Sequence, residues 1–285
     1  MKIYYYVHTG HRIGLDRFRR ASAIIKSLSD IDITLLTSDY RIASVAREYG
    51  IKKSVGIDVV RNIANIAKQG DKIIFDSDEA NPLMLEDMRQ FFSTFIRISD
   101  NPKDTKSPYE FLINPYLQGE GICNSLAIDE KFFQNTQKKI PLTYFFGDDD
   151  YEKDLEKHFD FIEGLDPYLQ LGFYYFFDYE DMLKEKFPNY FEFEEYQDMI
   201  QQTDILITAS AQTVLESLAS GGKPIYFQRE DYPQDFIQLF ENLNIPIIKN
   251  YNKTDLNKAL QSFSYKKIDN NCYKIANFIK KHLNL

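Results

Sequence analysis

Tryptophan is absent from the chain, and cysteine nearly so: Cys123 and Cys272 lie far apart, without metal-ligand spacing. That excludes a disulfide-built scaffold and a cysteine zinc site, and it points to a reduced compartment with buried thiols. Positive charge is also in short supply. Against 43 Asp and Glu stand 34 Lys and Arg, a formal charge of −9, whereas a protein that covers a phosphate backbone needs a basic surface. A general nucleic-acid role is therefore excluded, although local basic clusters can still hold a nucleotide. Long apolar runs are missing too. No stretch reaches the roughly 18 residues of a membrane span, and the apolar run within residues 1–12 is too short for a secretory leader. The chain is expected to be cytoplasmic, without a transmembrane segment.

What is present is a chain of 285 residues with 44% hydrophobic content, enough for two domains of about 140 residues with separate cores. Strand and helix signals alternate, the signature of parallel sheets flanked by helices. The first half predicts strands at 3–7, 33–36, 72–75, 94–98 and 111–115, and helices at 17–28, 42–48, 59–67 and 83–92. Regularity then weakens to about residue 141, which places a boundary between an N-terminal domain, 1–138, and a C-terminal domain, 139–285. The second half predicts strands at 142–146 and 169–176, and helices at 152–162, 196–202, 236–243, 255–263 and 272–283. The aromatic run 173–177 reads as part of the buried strand rather than as an acceptor groove.

Residues 204–227 carry the most specific pattern. Ile205, Leu206 and Ile207 suit a buried parallel strand, and the small residues at 208–211 suit a tight turn. Val214, Leu215, Leu218 and Ala219 share one helical face, Gly221 and Gly222 end that helix, and Pro224 opens a strand at 225–227. A helix start presents free N–H groups and partial positive charge, so it favours an anion such as a diphosphate. A plainer reading stands beside this one: Thr213 and Glu216 fit a capping box that only satisfies the helix's first donors.

This strand-turn-helix-strand unit resembles half of the site of GT-B nucleotide-sugar enzymes. The nearest likenesses are the UDP-sugar hydrolase of pseudaminic acid biosynthesis and the lipid-II N-acetylglucosaminyltransferase of peptidoglycan synthesis. The resemblance implies an α/β fold of two Rossmann-like domains with an interdomain cleft, the last helix crossing back to the first domain. It implies that Ser210, Ala211, Gln212 and Thr213 hold the diphosphate, that Glu216 holds the ribose and that Gly147 contacts the nucleotide. No cofactor is expected, and the chemistry is expected to be metal-independent.

The loop after the first strand should face the ligand, because open α/β sheets bind ligands beyond the carboxyl ends of their strands. The hydrolase pattern Ile-Gly-x-Gly-His-x-x-Arg is matched at Ile13, Gly14 and Arg20, but Asp16 and Arg17 replace its glycine and its histidine base. Arg17 stays protonated and cannot be a general base. Asp16 first, and His11 second, are the candidate bases; an N-cap role for Asp16 and an ordinary loop role for His11 stay open. Gly14, Arg17 and Arg20 are candidates for contact with phosphate or an anionic sugar, or for a solvated helix face.

Asp76 and Asp78 end a predicted strand, where they are expected to touch sugar or acceptor. They also match the metal-binding Asp-x-Asp of GT-A transferases, a reading that leaves 204–227 unexplained. Asp148, Asp149 and Asp150 read as helix-start residues rather than metal ligands. The first expectation is an inverting GT-B glycosyltransferase of bacterial surface glycan biosynthesis. It would pass a sugar from a nucleotide donor, uridine-linked by resemblance, to a glycan, protein or small-molecule acceptor. A UDP-sugar hydrolase with a displaced base is the alternative. A third reading, from another class, is an inert relative that binds nucleotide sugar or scaffolds a complex.

Overall fold

The computed structural model describes residues 1–79, 81–134 and 136–284. Among them the first half of the chain forms β1 (Ile3–Val7), α1 (Asp16–Ser27), β2 (Ile33–Thr37), α2 (Tyr40–Val45), β3 (Ser54–Gly56), α3 (Ile63–Ile66), β4 (Lys72–Asp76), α4 (Pro82–Phe91), β5 (Thr94–Ile98), β6 (Phe111–Ile113) and β7 (Ile122–Cys123). The second half forms β8 (Ile140–Phe145), α5 (Asp154–Lys157), α6 (Phe159–Ile162), β9 (Tyr168–Gln170), α7 (Phe177–Lys186), β10 (Tyr190–Phe191), α8 (Tyr196–Gln202), β11 (Thr203–Thr208), α9 (Ala211–Ala219), β12 (Lys223–Gln228), α10 (Ile237–Asn242), β13 (Ile247–Lys249), α11 (Lys253–Ala259) and α12 (Cys272–Leu283).

These elements fall into two compact units. One comprises Met1–Gly10, Arg17–Asp129 and Asn271–Leu285; the other comprises His11–Asp16 and Glu130–Asn270. The second unit thus takes up at Glu130 rather than at 139, it includes the loop that follows β1, and α12 belongs to the first unit.

The first unit holds a seven-stranded sheet in the order β3-β2-β1-β4-β5-β6-β7, and the second a six-stranded sheet in the order β10-β9-β8-β11-β12-β13. Each recorded pairing is parallel. This is the doubly wound arrangement, in which strand order reverses once. The reversal falls between β1 and β4 in the first sheet and between β8 and β11 in the second. Among the described residues no helix is long and apolar enough to cross a membrane.

Central strands of parallel sheets are covered on both faces, so they read as continuous apolar runs. β1 meets that demand with tyrosine: Tyr4, Tyr5 and Tyr6 are almost fully buried. Their rings fill the core while their hydroxyls find acceptors, Ile66 O for Tyr4, Asp76 for Tyr5 and Glu79 for Tyr6. Tyr6 stacks on Phe75 of β4 at 5.4 Å. In the second unit Tyr144, Phe146, Phe161, Leu169, Ile207, Ile225 and Phe227 form the corresponding core.

Four stretches depart from the sequence reading. The strand expected at 169–176 ends at Gln170, and the aromatic run 173–177 is a turn leading into α7, not a strand. Gly172 lies against the turn after β8: a Cβ there would sit 2.6 Å from Gly147 O and 2.7 Å from Asp148 O. The Tyr174 amide then donates to Asp148 O at 2.8 Å, which takes the chain out of the sheet. The helix expected at 152–162 is broken at His158, whose backbone (φ −122, ψ 27) is not helical. The helix expected at 59–67 is a 3-10 turn, Val60–Asn62, followed by α3. The short strands β3, β7, β10 and β13 went unread because two or three residues carry no periodicity.

Gly172→Ala should therefore destabilise the second unit by about 1–3 kcal/mol, since two of the three clashing atoms are backbone and cannot rotate away, the third being Cε1 of the Tyr175 ring. Chemical denaturation of the purified variant measures it. A second expectation concerns Lys138, whose ammonium donates to Ile200 O, Gln201 O and Ser220 Oγ at 3.0–3.1 Å. Burial pulls its pKa down to about 8, below the value of about 10.4 for an unfolded lysine. Between those two values the unfolded chain binds more protons than the folded one, so this group makes stability rise with pH over that window. Stability curves taken from pH 7 to 10 should show a rise in the wild type relative to Lys138→Met.

Candidate functional site

At the switch point of the second sheet, the carboxyl ends of β8 and β11 lie side by side. The loop after β8 supplies Gly147, Asp148, Asp149 and Asp150; the turn after β11 supplies Ala209 and Ser210 and runs straight into α9. Gly147 has φ +130, and a Cβ there would sit 2.6 Å from the Tyr232 hydroxyl and 3.3 Å from Arg229 Nη1, so this turn needs glycine. Arg229, at the end of β12 and 2% exposed, holds the turn from below. It donates to Phe146 O at 3.2 Å and to Asp149 O at 2.8 Å, and it lies over the Phe146 and Tyr232 rings at 4.3 Å from each. Asp231 supplies its counter-charge at 2.6 and 2.9 Å.

The start of α9 is closed by its own side chains. Ser210 is the N-cap, and its hydroxyl accepts the Thr213 amide at 3.2 Å. The capping box drawn between Thr213 and Glu216 does not form. Glu216 instead turns inward, where it is 1% exposed, and accepts Tyr196 OH at 2.6 Å and Gln212 Nε2 at 3.0 Å. Tyr196 OH also meets Thr213 Oγ1 at 2.8 Å, and Thr213 Oγ1 meets Ser210 Oγ. Glu216, Tyr196, Thr213 and Ser210 thereby make one continuous hydrogen-bonded run of side chains.

The His11–Asp16 loop adds two of the sequence-predicted residues to this place. Asp16 is the first residue of α1, yet its carboxylate goes to the other helix: Oδ1 accepts Ser210 Oγ at 2.5 Å and Oδ2 accepts the Gln212 amide at 3.3 Å. Asp16 thereby caps α9. Two residues earlier, Gly14 takes φ +77 with its Cβ position 3.6 Å from Tyr232 OH, and the Leu15 amide donates to Asp148 at 3.3 Å. His11 Nδ1 lies 3.1 Å from Asp149 Oδ1, and its ring packs on Tyr174 at 4.8 Å and on Phe176 at 5.9 Å. The ring is 41% exposed while Asp149 is only 3% exposed. A buried carboxylate thus holds one imidazole nitrogen of a histidine that reaches the surface, an arrangement that suits a general base.

Of the three aspartates read as helix-start residues, only Asp150 plays that part, accepting the Asp154 and Leu155 amides at 2.8 and 3.0 Å. Asp148 anchors the loop and Asp149 orients His11.

The remaining sequence-predicted residues belong to the first unit. Arg20 and Asp76 spend their charges on each other through paired contacts of 2.6 and 3.0 Å, with Asp100 and Tyr5 completing the set. Asp78 pairs with His8 Nδ1 at 2.7 Å and with Arg17 at 2.9 Å. The His8 hydrogen bond, aided by the Arg17 charge, holds the Asp78 carboxyl well below the usual carboxylate range. Both carboxylates of the Asp-x-Asp pattern are thus answered by protein cations or donors. Among the described residues no group of three His, Cys, Asp or Glu side chains is placed to hold a metal ion.

The structure accordingly gathers His11, Gly14, Asp16, Gly147, Ser210, Ala211, Gln212, Thr213 and Glu216 in the second unit, and Arg17, Arg20, Asp76 and Asp78 in the first. Sequence reasoning missed the supporting roles of Asp149, Tyr196 and Arg229. Only Arg229, a lone cation directly after an apolar strand, carried a signal that could have been read.

No family model matches the chain, and no curated protein matches it in sequence. Solved structures do match in shape. The UDP co-structure of Staphylococcus aureus MnaA superposes with a TM-score of 0.63 at 13% identity, over 100% of this chain and 98% of that one. The Methanocaldococcus jannaschii UDP-GlcNAc 2-epimerase, in complex with UDP-GlcNAc and UDP, gives 0.59 at 11% identity over 99% and 100%. MurG of Acinetobacter baumannii gives 0.54 at 13% identity over 99% and 100%. At such identities the likeness establishes the fold alone: this chain has the GT-B fold.

Proposed function

We propose that this protein is a GT-B glycosyltransferase that passes a sugar from a UDP-linked donor to a hydroxyl acceptor, in the assembly of a bacterial surface glycan. The observation that carries the reading is the start of α9 at the switch point of the second sheet, where Ser210 Oγ and the Gln212 amide already hold a negative oxygen group. Donors of that kind, at the positive end of a helix, suit the diphosphate of a nucleotide. Nucleotide ligands in the M. jannaschii and S. aureus structures of the same fold support the choice of uridine.

His11 serves as the base in this reading, in preference to Asp16, whose carboxylate is engaged by α9. With Nδ1 turned to Asp149, Nε2 takes the proton of the acceptor hydroxyl as its oxygen bonds to the anomeric carbon. The bond from that carbon to the diphosphate breaks, and the charge left on the nucleotide falls on the α9 donors. Glu216 takes the ribose hydroxyls, which requires it to exchange its bond to Tyr196 or Gln212 for the ligand.

The His11–Asp149 pair activates water by the same chemistry, which keeps a UDP-sugar hydrolase as the second reading. Incubation with UDP-, GDP-, CMP- and TDP-sugars, with and without acceptor pools, separates the two by mass spectrometry. Glycosylated product formed only with acceptor supports the transferase; rapid free sugar without acceptor supports the hydrolase. Donor binding without turnover under any condition would leave an inert binder and overturn both.

A further inference from the structure

We propose that Asp16 is the affinity- and specificity-determining residue of the α9 seat: its carboxylate stands where a ligand phosphate belongs, so nucleotide binding is an exchange of phosphate for carboxylate. The inference rests on the nucleotide reading above and adds to it what the site must do before a ligand enters.

Asp16 uses the two donors that a phosphate oxygen pair would use, Ser210 Oγ at 2.5 Å and the Gln212 amide at 3.3 Å. Two neighbouring amides are already committed. The Thr213 amide is satisfied by Ser210 Oγ, and the Ser210 amide by Thr208 Oγ1 at 3.1 Å. The Ser210 hydroxyl has one proton, and pointing it at Asp16 leaves none for a ligand. A diphosphate brought beside a seated Asp16 would place like charges in contact at the same donors, which is unfavourable. The carboxylate therefore has to leave when the phosphate arrives.

The competitor is part of the same chain, so it acts at an effective concentration of the order of millimolar or higher. The apparent affinity of any anion is then reduced by the fraction of molecules in which the seat is open. A ligand held by phosphate alone pays that cost with nothing else to offset it, whereas a nucleotide also gains from its ribose and base. Asp16 thereby selects nucleotides over free phosphate or pyrophosphate. The loop has its own holds, the Leu15 amide on Asp148 and His11 on Asp149, so the exchange moves the Asp16 side chain and not the loop.

Calorimetric titration of the wild type, Asp16→Asn and Asp16→Ser with UDP and with inorganic pyrophosphate tests this. Asparagine keeps the shape without the charge, and serine suits a helix start, so at least one variant is expected to fold; thermal unfolding checks both. The expected result is UDP binding about tenfold tighter in the variants than in the wild type, together with pyrophosphate binding that the wild type lacks. Equal or weaker UDP binding in both variants overturns the exchange while leaving the nucleotide reading in place. Pyrophosphate binding gained by the variants, with no nucleotide bound by any form, supports the exchange and overturns the nucleotide reading. Absence of all binding in every form overturns both.

Discussion

Arg20→Met is expected to lower the stability of the first unit by about 3–5 kcal/mol, the cost of stranding a buried charge after its partner is removed. Asp76 is 1% exposed and Arg20 9% exposed, and Arg20 meets Asp76 with two nitrogens and Asp100 with a third. Removing the guanidinium leaves the Asp76 and Asp100 carboxylates near each other, with Tyr5 OH still donating to Asp76 and the Arg17 charge acting on it from further off. The double variant Arg20→Met, Asp76→Leu should recover much of the loss, because replacing both members of a buried pair by apolar groups is often neutral or better. Urea denaturation at pH 7 of the single and double variants gives both numbers. A single variant within about 0.5 kcal/mol of wild type would mean that the charges are solvated and free for a ligand.

The second large effect is on turnover. His11→Ala should slow the chemical step by a factor of about 10²–10⁴, the usual worth of a positioned general base, with UDP affinity within a few-fold of wild type. Asp149→Asn should slow the same step by less, since the ring remains but loses the partner that fixes its orientation at 3.1 Å. Steady-state rates with the donor that the sugar-nucleotide screen identifies, set beside UDP titrations, separate the two quantities. A loss of affinity as large as the loss of rate would place His11 in ligand binding and leave the base elsewhere.

The fold was legible in the sequence wherever runs were long enough to show a period. The apolar strands β1, β4, β5 and β11 and the amphipathic helices α1, α9 and α12 were read within a residue or two at most bounds. What escaped was set by contacts distant in sequence. The aromatic run 173–177 has the composition of a strand, but Gly172 fits against Gly147 and Asp148 and turns the chain away. The site shows the same division. Ser210, Gln212 and Glu216 were visible as a strand-turn-helix unit, since helix-start chemistry is local. That Asp16 caps a helix almost two hundred positions away, and that Asp149 rather than a nearer residue holds His11, are facts of tertiary structure with no local signature.

Arg20 on α1 and Asp76 at the end of β4, both candidates for the ligand in the sequence, pair with each other in the structure, since buried charges require a partner.

If the start of α9 receives the diphosphate of a nucleotide, hydrogen exchange read by mass spectrometry with and without saturating UDP registers it at that helix. Peptides covering residues 208–219 should gain protection on UDP addition, and Ser210→Ala should weaken this response. Saturable UDP binding that protects other segments and leaves 208–219 unchanged would contradict this placement.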